Sequence, residues 1–368
     1  MAYKVRFVDY PKQYQDLKDE LNDVFEEVML GGDFILRKHL KEFENKIANY
    51  VGTKYAIGVN SGTDALYLST LAANFKPGDE VITVAHTFVA TVGAIVNCRA
   101  RPILVDVTDD FNMDVERLEE AITHRTRGII PVHLNGHACN MDEIMRLAGK
   151  NNLIVIEDAA QSLGAKFKGK KTGSFGLAGI FSFYPAKMLG TAGDGGIVCT
   201  NDDSFAHKIR ALRDNGRTNS VEVIECYGYC SRLDNLHAAI LNTKFKYFTT
   251  WVKRRREIAN LYSQGLSGIS SLQIHPVSNE DYYDVYQNYV IRTEKRDELA
   301  QYLRESGVEV LISWSIPLHK QKALNLSHFR LPVTEKISSE VLSLPMYPEL
   351  GNEKVEIVID TIKKFFKR

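Results

Sequence analysis

Apolar and polar positions alternate in blocks along the middle of the chain. From about residue 54, short runs rich in β-branched residues are separated by longer segments in which apolar residues recur every three or four positions. The short runs predict strands at 55–59, 80–84, 102–106, 128–132, 153–157, 179–183 and 196–200. The segments between them predict helices at 63–73, 87–97, 114–122 and 141–150. This alternation indicates an α/β fold, in which helices cover a mostly parallel sheet.

The pattern changes after Arg232. Residues 236–262 predict one long helix rich in Lys and Arg, which would connect two lobes. Beyond it, the sequence predicts strands at 286–292 and 308–313 and helices at 296–306 and 354–366. We therefore expect a large α/β domain over residues 1–245 and a smaller C-terminal α+β domain over residues 246–368. A chain of 368 residues is long enough for both.

Composition narrows the choice of partner and compartment. Lys and Arg together number 46, as do Asp and Glu, so no net charge would attract a polyanion and we expect no nucleic-acid partner. No apolar run is long enough to span a bilayer, and the first residues lead into no secretory core. We therefore expect a cytoplasmic protein without membrane contact. The five cysteines lack a CxxC spacing, which argues against a disulfide framework and against a metal site.

A single lysine follows the strand predicted at 179–183. Ser182 lies in that strand, Lys187 comes soon after it, and a glycine-rich run extends from Gly190 to Gly196. A lysine desolvated in a pocket has a lowered pKa and becomes a nucleophile near neutral pH, which suits attachment to a carbonyl compound. A loop lysine is ordinarily a solvated charge. The apolar strand before it and the glycines after it weaken that interpretation, because glycines let a backbone approach a ligand closely.

Two earlier strand ends suit the phosphate and the ring of a planar cofactor. Gly62 and Thr63 open a helix whose free N–H groups and dipole favour an anion, although ordinary N-capping would also explain this turn. Phe88 follows the next strand, where its ring could stack on a planar cofactor, although a lone Phe is more often part of the core. His86, two residues earlier, is more often a strand-end histidine with a partner than a catalyst.

A carboxylate ends the strand predicted at 153–157. Asp158, placed against a pyridine nitrogen, would keep that nitrogen protonated, and Gln161 could donate to a phenolic oxygen. Taken alone, Asp158 would better be explained as a helix cap. The complete order of phosphate turn, ring, acid, serine, lysine and glycine run favours a pyridoxal phosphate (PLP) enzyme. In such an enzyme the freed amine of Lys187 moves the proton between substrate and cofactor carbons.

With these residues the chain resembles the DegT/DnrJ/EryC1/StrS family of nucleotide-sugar aminotransferases over nearly its whole length. The resemblance rests on Gly31-Gly32-Asp33-Phe34-Ile35, Ser61-Gly62-Thr63, Pro77-Gly78-Asp79-Glu80-Val81, Pro131-Val132-His133-Leu134, Glu157-Asp158-Ala159-Ala160-Gln161, the lysine loop and Ser343-Leu344-Pro345-Met346-Tyr347-Pro348. It implies a fold-type I, aspartate aminotransferase-like architecture and a homodimer with shared active sites. The implied reaction moves an amino group from L-glutamate to a nucleoside-diphosphate-linked keto-6-deoxysugar by a ping-pong mechanism.

The resemblance also implies roles for the candidate site residues. Those assigned to the cofactor are Gly62, Thr63 and Ser182 for the phosphate, Phe88 for the ring face, Asp158 for the pyridine nitrogen, Gln161 for the phenolic oxygen and Lys187 for the Schiff base, an internal aldimine. Tyr184 and His319 match positions close to the sugar nucleotide. Cys230 matches a position that reaches the cofactor phosphate of the partner subunit.

Three positions depart from the family pattern. Cys230 stands where Asn is common, and a thiol is a weak hydrogen-bond donor. Met188 also stands where Asn is usual, after the lysine. Ser313-Trp314-Ser315 replaces a frequent His-Tyr-Pro, so unusual substrate contacts are expected there.

The remaining alternatives concern the reaction. Gly193-Asp194-Gly195-Gly196 and Ser231-Arg232-Leu233-Asp234 resemble enzymes of 3-keto sugars, so we expect amination at carbon 3, with carbon 4 as the alternative. Lys187 argues against the dehydratases of this scaffold, which carry His at that position. A nicotinamide-dependent dehydrogenase would need a GxGxxG after the first strand, and the sequence has none there. A non-enzymatic regulator stays open because of Cys230.

Overall fold

A computed structural model describes residues 3–218, 222–275 and 279–367. Its α-helices are α1 (Tyr10–Gly31), α2 (Lys38–Val51), α3 (Gly62–Ala72), α4 (Val89–Asn97), α5 (Val115–Ala121), α6 (Met141–Asn151), α7 (Asp203–Arg213), α8 (Asn235–Phe245), α9 (Phe248–Leu266), α10 (Arg296–Glu305), α11 (Pro332–Glu340) and α12 (Asn352–Phe366). Its strands are β1 (Tyr55–Val59), β2 (Glu80–Val84), β3 (Arg101–Val105), β4 (Thr126–Ile129), β5 (Ile154–Asp158), β6 (Lys166–Phe167), β7 (Lys170–Lys171), β8 (Ala178–Ser182), β9 (Gly196–Thr200), β10 (Tyr282–Tyr283), β11 (Tyr289–Arg292) and β12 (Val341–Leu344).

The main sheet has the strand order β1-β9-β8-β5-β4-β2-β3. Its neighbours β8, β5, β4, β2 and β3 pair in parallel, and only β9 runs against the other strands of this sheet. The expected mostly parallel α/β architecture is confirmed. Because parallel strands end at one edge of a sheet, the segments that follow β1, β2, β4, β5 and β8 all meet at that edge.

Helices on both faces bury the main sheet. Every residue of β2 and β9 is buried, as expected for strands covered on both sides. Short polar side chains begin several covering helices: Ser61 caps α3, Asn140 caps α6 and Asp202 caps α7, each accepting a backbone N–H of the first turn. These caps satisfy donors that would otherwise lie unpaired at the helix ends.

A separate hydrophobic cluster fills the C-terminal part of the chain. It is formed by α9, α10, α12, β11 and β12, with Tyr262, Tyr289 and Leu303 fully buried in it. Val5 joins the same cluster from the other end of the chain, through a parallel bridge to Val308. The N-terminal segment therefore packs on the C-terminal unit before the chain enters α1.

Three predicted elements in this region differ from the structure. The single helix predicted over 236–262 is wrong, because α8 ends at Phe245 and α9 starts at Phe248. Lys246 and Tyr247, which lie between the two helices, both donate to the carboxylate of Glu20 on α1. The strand predicted at 286–292 begins only at Tyr289, and residues 308–313 form isolated bridges instead of a strand.

Candidate active site

A cavity of about 560 Å³ lies at the edge of the sheet where the strands β1, β2, β4, β5 and β8 end. Eight of the ten predicted site residues line it, namely Gly62, Thr63, Phe88, Asp158, Gln161, Ser182, Tyr184 and Lys187. They come from segments more than 120 positions apart in the sequence, between Gly62 and Lys187. Parallel strand ends bring them together, as the alternation of strands and helices predicts.

The start of α3 forms an anion-binding corner of the cavity. Ser61 accepts the N–H of Asp64 at 3.0 Å. Gly62 and Thr63 are the first two residues of α3, so their N–H groups have no partner inside the helix. A Cβ placed on Gly62 would lie 2.7 Å from the Cβ of Ser182, so only glycine allows the helix start to approach that serine. Ser182 accepts the N–H of Tyr184 at 3.4 Å, and its own hydroxyl hydrogen stays available for an anion.

Asp158 presents a buried carboxylate to the cavity and is 5% exposed. Thr91 donates its hydroxyl hydrogen to Oδ2 at 2.7 Å, and the N–H of Ala160 donates to Oδ1 at 3.2 Å. Burial raises the pKa of Asp158, while these two hydrogen bonds and the charge of Lys187 act in the opposite direction. A cationic N–H donor entering the cavity would offset the cost of burying this charge.

Lys187 extends into the same cavity from the loop after β8. Burial lowers the pKa of its ammonium group below the ordinary value, and the Asp158 carboxylate acts in the opposite direction. Among the described residues, no hydrogen bond to the amine accompanies these two effects. An unpaired amine with a lowered pKa is suited to nucleophilic attack on a carbonyl group.

Gln161 has a fixed amide orientation at the cavity wall. The backbone N–H of Asn135 donates to Oε1 of Gln161 at 2.8 Å, and an N–H group can only donate to the amide oxygen. The NH₂ group of Gln161 is therefore the end that is free to donate. This matches the predicted donation to a phenolic oxygen.

Two large aromatic rings line the cavity and remain accessible. The side chain of Phe88 is 59% exposed and that of Tyr184 is 53% exposed. Phe88 occupies the N-cap position of α4, so backbone geometry places its ring at the end of β2. An aromatic ring this exposed has surface available for a flat ligand, in contrast to the core phenylalanine that a lone Phe would more often be.

A buried carboxylate supports Asp158 from the other face of β5. Glu157 accepts the N–H groups of Gly173 at 2.7 Å, Phe175 at 2.6 Å and Gly176 at 2.9 Å. His133 accepts the N–H of Cys139 on Nδ1, so its Nε2 carries the hydrogen that it donates to Glu157 at 3.0 Å. These bonds fix the end of β5 and, with it, the position of Asp158.

Cys230 and His319 do not line this cavity. His319 is fully buried and its Nε2 lies 3.0 Å from Oε1 of Glu335. Cys230 is exposed on the surface, where Nη2 of Arg232 donates to its sulfur at 2.9 Å. An exposed position is what a contact with a partner subunit would require.

The glycines at the two ends of the run pack closely against other parts of the backbone. A Cβ on Gly190 would lie 2.4 Å from the carbonyl oxygen of Pro185, and one on Gly196 would lie 2.2 Å from that of Ser61. The prediction that these glycines let the backbone approach a ligand is therefore wrong for Gly190 and Gly196, which instead allow close backbone packing around the lysine loop. Asp194 is the member of the run that lines the cavity.

His86, two residues before Phe88, is buried beside Ser338, and burial lowers its pKa to about 4.

Sequence reasoning missed part of the wall. Segments outside the quoted motifs supply Phe7, Val8, Gln287, Asn288 and Leu311. Their approach depends on how the C-terminal unit packs against the main sheet, and no local pattern records that packing. Trp314, where the departure from the family pattern predicts unusual substrate contacts, also lines the cavity.

The cavity fits PLP. Its corner at α3 offers free N–H groups and a hydroxyl for a phosphate, and Phe88 offers an aromatic face for the ring. Asp158 and Gln161 offer an acceptor for a pyridinium N–H and a donor for a phenolic oxygen. Among the described residues no group of three or more His, Cys, Asp or Glu side chains is arranged to hold a metal ion.

Comparisons with known proteins agree with this geometry. Residues 15–363 match the model of the DegT/DnrJ/EryC1/StrS aminotransferase family. A "pleiotropic regulatory protein" of Geobacillus stearothermophilus is 41% identical, with 99% of both chains covered. A dTDP-3-amino-3,4,6-trideoxy-alpha-D-glucose transaminase of Streptomyces venezuelae is 37% identical, with 99% of this chain and 97% of the relative covered.

Solved structures agree over the full length. S. venezuelae DesV in complex with a ketimine intermediate has a TM-score of 0.96 at 36% identity, with 100% of both chains covered. NtdA of Bacillus subtilis with the bound cofactor PMP has a TM-score of 0.90 at 31% identity, with 99% of this chain and 84% of that chain covered. In the part of the chain that the structure describes, no helix combines the length and the apolarity needed to span a membrane.

Proposed function

Because this chain belongs to the DegT/DnrJ/EryC1/StrS aminotransferase family, we propose that it transfers the amino group of L-glutamate to a nucleoside-diphosphate-linked keto-6-deoxysugar, at carbon 3. The chain is a PLP-dependent aminotransferase with the fold-type I architecture. What we propose is the amino donor, the sugar, the carbon that is aminated and the roles of the individual site residues.

One observation carries the proposal. The unpaired amine of Lys187, the buried carboxylate of Asp158 and the free N–H groups of α3 surround a single cavity. These are the three groups that PLP needs for its aldehyde, its pyridine nitrogen and its phosphate. A regulator that does no chemistry would have no need to keep a lysine amine unpaired in a cavity.

The residues of this chain would share the work as follows. Bound PLP supplies an electron sink that stabilises negative charge at the carbon that loses a proton. Asp158, oriented by Thr91, would keep the proton on the pyridine nitrogen. Lys187, once free, would accept the proton from the donor carbon and deliver it to the cofactor carbon, because burial lowers the pKa of its amine. Gln161 would hold the phenolic oxygen, and Tyr184 would border the sugar.

The preference for carbon 3 rests on the residues beside the lysine loop. Asp194, in Gly193-Asp194-Gly195-Gly196, lines the cavity, so this difference from the Gly-Glu-Gly-Gly of 4-keto enzymes lies where a sugar would bind. The name of the S. venezuelae relative also specifies a 3-amino sugar. Amination at carbon 4 is the alternative.

We also propose that two copies of the chain share their sites. Cys230 is absent from the cavity of its own chain and is exposed, which suits a contact with the cofactor phosphate of a partner subunit. His319 is buried against Glu335 and does not line the cavity, so in this proposal it stabilises the wall of the substrate site without contacting the sugar. The proposed domain boundary stays near residue 245, where α8 ends.

A regulatory role is the second candidate, because the relative from G. stearothermophilus carries a regulatory name. One experiment separates the candidates. Purified protein is mixed with PLP and then with L-glutamate, and 3-keto and 4-keto nucleotide sugars are offered in parallel. We expect a visible band that disappears on borohydride reduction, which leaves the cofactor covalently attached to Lys187. We also expect loss of the band with glutamate and an amino sugar from the 3-keto compound. A protein that takes up no PLP would contradict the enzymatic proposal, and turnover of the 4-keto sugar alone would move the amination to carbon 4.

A further inference from the structure

The loop that carries Lys187 is held by a residue outside every motif of the sequence. Gln287, which precedes β11, donates its Nε2 hydrogen to the carbonyl oxygen of Ala186 at 2.7 Å. That carbonyl belongs to the peptide bond between Ala186 and Lys187. On the other side of the peptide, the N–H of Lys187 donates to the carbonyl of Tyr184 at 2.8 Å. Both polar atoms of this peptide bond are therefore fixed.

The other end of the Gln287 amide is unpartnered. The carbonyl oxygen of Ala186 can only accept, so the end of the Gln287 amide that faces it must be the NH₂ group. Oε1 of Gln287 therefore points the other way. Among the described residues Oε1 has no hydrogen-bond partner, and Gln287 is 8% exposed. A buried acceptor without a partner lowers stability, so an apolar side chain of similar length would serve packing better. Packing therefore does not explain the presence of glutamine here.

The backbone around Gln287 is strained and firmly anchored. Tyr286 has a φ of +53°, in the left-handed region that a residue with a Cβ rarely adopts. Gly136 packs so closely that a Cβ on it would lie 2.8 Å from the backbone nitrogen of Gln287. The buried guanidinium of Arg255 donates to the carbonyl oxygens of Tyr286 at 3.1 Å and of Gln287 at 3.3 Å. This strained turn aims the side chain of Gln287 at the cavity wall beside Ala186.

We propose that Gln287 is a positioning residue for Lys187, whose hydrogen bond to the carbonyl of Ala186 fixes the peptide from which the reactive lysine extends. The inference rests on the proposed function, in which Lys187 is the amine that binds the cofactor and moves the proton. An amine displaced by about 1 Å from its reacting carbon can lose about a hundredfold in rate. Gln287 also connects the C-terminal unit to the lysine loop.

The test compares Gln287→Met with the wild type and with Gln301→Met, which makes the same change at an exposed position on α10. We expect Gln287→Met to melt within a few degrees of the wild type, because it loses the buried unpartnered acceptor together with the donor. Without cofactor, hydrogen–deuterium exchange of residues 184–191 should be faster in Gln287→Met alone. In single-turnover reactions with L-glutamate, the rate constant of Gln287→Met should fall by about tenfold to a hundredfold. The glutamate concentration that gives half of the maximal rate should change by less than about threefold.

Gln287→Glu adds a readout that a purely structural role would not give. An ionised carboxylate cannot donate to the carbonyl of Ala186, whereas the protonated acid can. The rate constant of this variant should therefore recover relative to the wild type as the pH falls, and that of Gln287→Met should not. If wild type reacts and Gln287→Met matches it in exchange and in rate, the inference is wrong while the proposed function stands. If wild type forms no Lys187-linked band, the proposed function fails and the inference fails with it.

Discussion

Thr91 donates its hydroxyl hydrogen to Oδ2 of Asp158 across 2.7 Å, and the hydroxyl of Thr87 lies 2.9 Å from that of Thr91. Because Thr91 uses its one hydroxyl hydrogen on Asp158, Thr87 must donate in the second bond. The two threonines flank the start of α4 and point a chain of hydroxyl dipoles at the buried carboxylate. Thr91 and Thr87 thus stabilise the ionised form of Asp158, a role that the sequence analysis does not assign to them.

Thr91→Val should weaken PLP binding by about tenfold or more, because a hydrogen bond to a charged group contributes about 1.5–3 kcal/mol. Loss of the donor also raises the pKa of Asp158 further, which reduces the charge that meets the pyridine nitrogen. A titration of the protein with PLP, followed by absorbance, measures the change. Thr87→Val removes only the outer bond and should have a smaller effect. Equal affinity of Thr91→Val and wild type would show that the bond to Asp158 is not needed.

Asp158→Asn should abolish most of the activity while preserving the fold. Burial raises the pKa of Asp158, so the folded protein without cofactor holds this proton more tightly than the unfolded chain does. The contribution of this protonation to the free energy of unfolding is therefore complete below about pH 4 and disappears as the pH rises through the raised pKa. Asn does not ionise, so the variant does not lose stability in this way, and without cofactor it should unfold at the same or higher urea concentration at pH 7. Transamination should fall at least about a hundredfold, because an amide cannot keep the pyridine nitrogen protonated. A variant with near wild-type turnover would remove Asp158 from the mechanism.

Gly62→Ala should damage the phosphate corner specifically. The added methyl group would lie 2.7 Å from the Cβ of Ser182, so the start of α3 must move away from that serine. We expect PLP affinity to fall about tenfold, through loss of one or two hydrogen bonds to an anion. Gly149→Ala on α6 is the matched control, since nothing lies within 4 Å of its added Cβ. That control should keep PLP affinity and gain about 0.5–1 kcal/mol of helix stability. Similar behaviour of the two variants would contradict the steric argument.

The sequence predicted the residues at strand ends and missed those that depend on packing between distant segments. Ser182 and Asp158 follow apolar runs that form the neighbouring parallel strands β8 and β5, so a local pattern was enough to bring them to one edge. Gln287 reaches the cavity through the strained turn at Tyr286, where the sequence suggested a continuous strand. The break between α8 and α9 is likewise missing from the local pattern, and its two residues contact Glu20, more than 220 positions earlier in the chain.

Cys230→Asn tests whether the sites are shared between subunits. Asn supplies an N–H donor where the thiol supplies a weak one, so a phosphate of the partner's cofactor should be bound more tightly, by about tenfold for one bond to a charged acceptor. Cys230→Ser, with a short hydroxyl donor, is the control and should gain less. PLP titration combined with sedimentation measures affinity and assembly together. Unchanged affinity in a stable dimer would mean that position 230 does not reach a phosphate.

Lys244 on α8 gives the stability of the protein a distinct dependence on pH. Its Nζ donates to the carbonyl of Gly190 at 2.8 Å and to Gln13 at 3.0 Å. Burial lowers the pKa of Lys244 to about 8, with Glu349 acting in the opposite direction. Below pH 8 the folded and unfolded forms are both protonated. Between pH 8 and the ordinary pKa of 10.5, only the unfolded chain keeps the proton, so this residue makes the protein more stable as the pH rises.

Lys244→Met should remove that rise. Each pKa unit corresponds to about 1.4 kcal/mol, so by pH 9.5 the wild type should gain about 2 kcal/mol relative to its value at pH 7, and Lys244→Met should lack this increment. Urea unfolding of both proteins at several pH values measures the difference, in which the titrations of the buried tyrosines cancel. Lys253→Met, at an exposed position on α9, is the control and should keep the wild-type slope. If the curves of wild type and Lys244→Met stay parallel, Lys244 keeps its proton in the folded protein, and its contact with Gly190 holds the lysine loop as a charged donor throughout.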